Sequence, residues 1–252
     1  MKLNHPARRR GTVRAVRLPA IAAGALTAVL AMSGCGMISE ANATSIPSAV
    51  PSATAAVVEQ VDQAQFTRDG TFQSHIKVDG IDFVYTIYPT KSTPRTNLWF
   101  PRGDKFFTVT LTAYDLDQDL RSSFAKKRLV YLDRIKVTSS TTTSTDSGGS
   151  ESPYSLDERA ARITFDPQPT QHRKYGMLVT SPKGAFELRN QAIGTVSDDT
   201  TEVTLKFSAK VYVQRERGSS SYDRQTITQE VPITIFASSE ETEVTKIPIN
   251  AN

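Results

Sequence analysis

From Phe72 onward, apolar residues recur at every second position, the spacing of strands with one buried face. Phe72–Val78 and Ile81–Tyr88 flank Asp79-Gly80, a pair suited to the two positive-φ positions of a type I′ hairpin turn. In the second of these strands Ile81, Phe83, Tyr85 and Ile87 share a face. Phe107, Val109, Leu111 and Ala113 alternate with Thr108, Thr110 and Thr112, so β-branching and pattern both predict a half-buried strand. The longest alternation is Val203–Val213. It turns Val203, Leu205, Phe207, Ala209, Val211 and Val213 one way, and Thr204, Lys206, Ser208, Lys210 and Tyr212 the other. Its partner is Gln225–Phe236, reached through Gly218-Ser219-Ser220-Ser221, with Ile227, Val231, Ile233 and Ile235 inward. Pro232 has no ladder donor, which puts that strand at an edge or a bulge.

Weaker patterns predict short strands at Asn97–Phe100, Leu129–Val137, Arg162–Phe165, Tyr175–Thr180, Ala185–Arg189 and Glu243–Ile249. Over Asp115–Lys127 the period changes. Leu116, Leu120 and Phe124 recur every four residues and Asp115 with Gln118 fits a capping box, which predicts a short inserted helix. Thr138–Pro153 holds eleven Ser/Thr in sixteen positions plus Gly148-Gly149, the composition of a mobile surface loop. About ten strands and one helical insertion predict a mainly β fold, an antiparallel β-sandwich of immunoglobulin-like type. The cysteine pair of antibody domains is missing, so the comparison is one of architecture. One domain over residues 66–252 is expected, because each half alone would bury a small core.

The first 34 residues follow a different logic. Lys2, Arg8, Arg9, Arg10, Arg14 and Arg17 precede an uncharged run, Leu18–Met32, with no acid anywhere in the segment. A basic n-region and an apolar h-region describe a secretory signal, and fifteen residues fall short of the ~20 that a membrane-crossing helix needs. Arg9-Arg10 lacks the apolar pair expected after a twin-arginine motif, which favours the general secretory route. Residues 36–65 are rich in Ala, Ser, Thr and Pro, as a spacer between membrane and domain would be.

At the junction, Met32-Ser33-Gly34-Cys35 resembles the lipobox of bacterial lipoproteins: an apolar residue, two small ones, then cysteine. The resemblance covers the leader alone, and Met32 stands where the family usually has Leu. It implies recognition of Met32, Ser33 and Gly34 by a signal peptidase, cleavage before Cys35 and a diacylglyceryl group on the Cys35 sulfur. The implied partner is the lipid bilayer and the implied location is the outer face of the cell membrane. Cys35 is the one cysteine in 252 residues, so no disulfide forms within the chain. Two acyl chains hold a protein stably on a bilayer, at ~0.8 kcal/mol per buried methylene.

Processing would also change the charge. Removing residues 1–34 takes away six of the 30 basic residues and none of the 26 acidic ones, leaving net −2. The electrostatic case for nucleic-acid binding disappears with the leader.

Candidate chemistry is sparse. Arg102-Gly103-Asp104, after Phe100-Pro101, resembles the integrin-binding signal of host adhesion proteins, although a turn wants Pro, Gly and Asp for backbone reasons alone. Asp115-Leu116-Asp117-Gln118-Asp119 starts like an EF-hand loop, but Leu120 and Lys126 stand where its Gly and Glu belong. Ser197-Asp198-Asp199 reads as a turn. Ser74-x-x-Lys77 and Ser123-x-x-Lys126 lack the companion motifs of penicillin-recognising enzymes. His75 and His172 are far apart in sequence. No metal or cofactor is implied. Trp99, Phe100, Phe106 and Phe107 form the densest aromatic region; core packing is their default, and where exposed, Trp99 and Phe100 with Arg102, Gly103 and Asp104 would make a binding patch. The expectation is an extracytoplasmic lipoprotein acting as a non-enzymatic binding or envelope-assembly module, with an envelope protein or glycan as partner. The alternatives are a carboxylate-based glycan hydrolase and a solute-capturing lipoprotein.

Overall fold

The computed structural model describes residues 59–61, 66–67, 70–91, 93–145 and 150–244. Met32, Ser33, Gly34, Cys35 and the rest of the expected leader lie outside the described residues. The predicted first hairpin is present: β1 (Glu59–Val61) pairs with β2 (Phe72–Val78), which pairs with β3 (Ile81–Pro89) across Asp79 and Gly80 at φ 50° and 72°. β4 (Lys105–Asp115) and β9 (Phe186–Ile193) complete a five-stranded sheet in the order β1-β2-β3-β4-β9. The second sheet runs β11 (Tyr222–Thr234), β10 (Thr200–Gln214), β5 (Val130–Thr143), β8 (Gly176–Leu178), β7 (Gln171–His172), with β6 (Leu156–Arg159) also on β5. Every pairing between named strands is antiparallel.

The alternation explains the core. Ile81, Phe83, Tyr85 and Ile87 of β3 and Phe107, Val109, Leu111 and Ala113 of β4 meet Val203, Leu205, Phe207, Ala209 and Val211 of β10 in one continuous apolar cluster. Tyr85 packs its ring 6.0 Å from that of Phe207, and burial pushes its phenol well above the usual range. This is the mainly β, antiparallel, immunoglobulin-like sandwich that the sequence predicts. Pro232 lies in β11, the edge strand expected for it.

Five local expectations are corrected. Asp115–Lys127 is not a helix: it is a run of turns ending in a 3-10 turn at Phe124–Lys126, while the short α-helix, α1, is Ala160–Ile163 and runs into Arg162–Phe165, which is not the predicted strand. The four-residue spacing misled because Leu116 and Leu120 face solvent and Asp115 caps no helix; its buried carboxylate is bound by Arg128. Asn97–Phe100 is not a strand but begins with a 3-10 turn, Thr96–Leu98.

Thr138–Thr143 is not loop but the far half of β5, paired with β10. Threonine is β-branched and suits a strand, and here Ser139 and Thr141 turn inward. Those two also hold the returning chain, for Tyr154 N–H donates to Ser139 Oγ at 2.8 Å and Glu151 N–H to Thr141 Oγ1 at 2.8 Å. Last, β1 falls inside the stretch expected to be spacer and closes the open edge of β2. The expected strand Glu243–Ile249 lies mostly outside the described residues.

Candidate functional site

The Arg102-Gly103-Asp104 turn is locked from three directions. Arg102 makes a two-point contact with Asp198, Nε to Oδ1 at 3.1 Å and Nη2 to Oδ2 at 2.7 Å. Gly103 has φ 81°, and a Cβ there would lie 2.8 Å from the Thr242 carbonyl oxygen. Beneath the turn Lys105 is fully buried and donates to the carbonyls of Phe100, Pro101 and Gly103 at 3.0, 3.2 and 2.7 Å. Trp99 is buried too, its indole N–H donating to the Pro94 carbonyl at 2.9 Å. The proposed patch is therefore divided. Trp99 belongs to the core, the Arg102 guanidinium is engaged, and among the described residues Asp104 makes no ion pair.

Burial pulls the Lys105 pKa down from 10.5 to about 8, against the smaller opposing field of Asp104. The unfolded chain then holds more protons between those two values, so stability is lowest below about pH 8 and rises as pH climbs toward 10.5. Unfolding free energies from urea titrations should increase across that window by at most ~3 kcal/mol relative to the Lys105→Met variant, which lacks the titrating group. Equal pH profiles for the two proteins would refute this account of the turn.

The two histidines do not meet. His75 Nδ1 lies 2.8 Å from Asp82 Oδ2 on the first sheet, whereas His172 belongs to the second. Among the described residues no group of three His, Cys, Asp or Glu is placed to hold a metal. Asp115 and Asp117, from the run that starts like an EF-hand loop, both bind Arg128 Nη2, at 2.9 and 2.8 Å.

A different region has the makings of a site. On the outer face of the second sheet, at one end, Tyr131, His172, Tyr175, Tyr212 and Tyr222 form a cluster of rings. Tyr175 is its centre, stacked 4.4 Å from His172 and 4.3 Å from Tyr222, with Tyr212 at 5.0 Å. Tyr131 and Tyr175 are buried as the floor, and His172 is exposed at the rim. Lys174 Nζ lies 5.2 Å from the Tyr175 ring centre. Burial, then the neighbouring phenols of Tyr131 and Tyr175, raise the Tyr222 pKa, so its hydroxyl stays protonated at neutral pH.

Strand register places charge beside these rings. Cross-strand partners stand side by side on one face of a sheet. One row holds Leu178, Tyr131, Tyr212 and Arg224 across β8, β5, β10 and β11. The next holds Arg159, Arg134, Lys210 and Thr226, and the third Asp157, Lys136, Ser208 and Thr228. A bulge at Asp133, which has no partner between Leu132 and Arg134, keeps Tyr131 and Arg134 on the same face. Asp157 binds the Arg134 guanidinium; that hydrogen bond first, then the fields of Arg134, Lys136 and Lys210, hold its carboxyl below the usual range against a partial loss of solvation. Farther along, Lys206 and Glu230 neutralise each other at 2.8 Å.

Sequence reading missed this site because its rings come from four separate strands and a turn. One signal was available. Tyr212 and Lys210 fall on the wet face of the longest strand, where a large aromatic has no core to fill. Phenols on a rigid sheet beside unbalanced cations can bind a ligand with polar hydroxyls and negative charge. Compared with known proteins, the chain matches no family model, no curated protein and no solved structure.

Proposed function

We propose that the chain is an exported lipoprotein, anchored through Cys35 to the outer face of a cell membrane, whose sandwich domain binds an envelope component without catalysing a reaction. The observation that carries the binding half is the phenol cluster with its flanking cations on an outer sheet face, a small cluster separate from the main core between the sheets. Tyrosine and arginine dominate recognition surfaces because they offer area and hydrogen bonds at low entropic cost. The anchoring half rests on the basic leader, the short apolar run and Met32-Ser33-Gly34-Cys35.

Anchoring is tested by fractionation. The wild-type chain should sediment with membranes and incorporate a palmitate label, and Cys35→Ala should lose the label and enter the soluble fraction. A Cys35→Ala protein that remains on the membrane would show that lipid is not the anchor. For binding, crosslinking on intact membranes should give one saturable adduct through the outer face of the second sheet. Release of a sugar or peptide product by the purified chain would favour a hydrolase instead.

A further inference from the structure

We propose that the outer face of the second sheet binds an acidic glycan, the phenol cluster receiving sugar hydroxyls and the adjoining cation row its acid groups. This rests on the reading of the domain as a binding module and names the ligand class.

The cation row is the first argument. Arg159, Arg134 and Lys210 stand opposite one another on three successive strands, an arrangement that costs stability when charges are alike. Five cations, Arg134, Lys136, Arg159, Lys210 and Arg224, share the face with two carboxylates, Asp133 and Asp157, since Glu158 pairs with the buried Ile135 and belongs to the other face. Among the described residues Lys136, Arg159, Lys210 and Arg224 make no ion pair, and the balanced Lys206–Glu230 pair shows that the sheet can neutralise itself where nothing needs to bind. The excess is local, on a chain close to neutral without its leader.

The rings decide which anion. A nucleobase binds by covering an open aromatic face. Here Tyr175 is enclosed between His172 and Tyr222, and Tyr131 lies 5.8 Å from Tyr222, so the rings cover one another. What remains are ring edges and the hydroxyls of Tyr131, Tyr175 and Tyr222, for which the described structure supplies no hydrogen-bond partner. Protonated phenols donate and accept, as a sugar's hydroxyls do. Rows two residues apart along a strand are separated by about 7 Å, which puts the phenols and the cations within reach of a single acidic sugar unit. An acidic peptide would use the cations alone and have little need of the phenols.

The test uses the full chain in detergent micelles, with polygalacturonate fragments as the probe and neutral dextran, polyglutamate and oligothymidylate in parallel. Polygalacturonate should bind ~tenfold or more tighter than each of the others and weaken with salt, as contacts to a charged polymer do. Arg159→Gln with Lys210→Gln should weaken it ~30-fold and flatten the salt dependence, while melting no lower than wild type. Tyr222→Leu should weaken it ~tenfold, as the loss of a hydrogen-bonding hydroxyl does, and leave the residual polyglutamate binding unchanged.

Polyglutamate or oligothymidylate binding as tightly as polygalacturonate would overturn the proposal, and so would absence of binding or variants indistinguishable from wild type. A photocrosslinking residue in place of Arg224, on intact membranes, separates the two levels. A specific protein adduct there overturns the glycan while the binding module stands. No adduct, together with no glycan binding, removes both.

Discussion

Replacing Arg128 with methionine should destabilise the domain by ~4 kcal/mol, the scale for stripping the partner from a buried charge. Arg128 is nearly buried and Asp115 more so. The guanidinium reaches Asp115 Oδ1 through Nε at 3.2 Å and Nη2 at 2.9 Å, Asp117 Oδ2 at 2.8 Å, and the Asp79 carbonyl through Nη1 at 2.9 Å. It thereby ties the first hairpin, the end of β4 and the start of β5 to one another. Arg128→Met leaves the Asp115 carboxylate buried with backbone donors alone, from residues 128 and 117. Urea denaturation at neutral pH measures the loss. Arg128→Met combined with Asp115→Leu should lose less than Arg128→Met alone, because no uncompensated carboxylate remains. A double variant less stable than the single one would refute the argument.

Gly176→Ala should cost ~3 kcal/mol and disable the ring cluster as well. Gly176 has φ 97°, and an added Cβ would sit 2.2 Å from the Leu132 carbonyl oxygen and 2.6 Å from the Asp133 Cα. Both are backbone atoms of β5, so nothing flexible can yield. The short strand β8 must then move off β5, taking Tyr175 and Leu178 from the floor of the cluster. Thermal melting should show the destabilisation, and near-ultraviolet circular dichroism should show loss of the tyrosine signal. An unchanged tyrosine spectrum would show that β8 does not depend on this contact.

The parts of the fold legible in the sequence were those where one face is dry and the other wet. β2, β4, β10 and β11 follow from alternation because the sandwich buries each mainly on one side, and β3 follows from its alternating apolar face and hairpin turn although Asp82 and Val84 on its other face are buried too. The failures have one physical source, a side chain whose partner is remote in sequence. Asp115 reads as a helix cap until Arg128 is seen to claim it. Thr138–Thr143 reads as loop until Val203 and its neighbours are seen to pair with it. Trp99, whose default was core packing, is indeed buried, whereas nothing in the sequence marks Lys105 as buried until the turn is seen to close over it with three carbonyls. The cation row was least legible, since Arg159, Arg134 and Lys210 are unremarkable separately and become neighbours only through strand register.

The position of Pro232 has a consequence for life at high concentration. β11 presents the unpaired side of a thirteen-residue strand to the surroundings, a length at which neighbouring molecules can join by continuing the sheet. A residue without an amide hydrogen interrupts that template. Growth of a continuous sheet from one copy to the next along this edge would have to skip a rung.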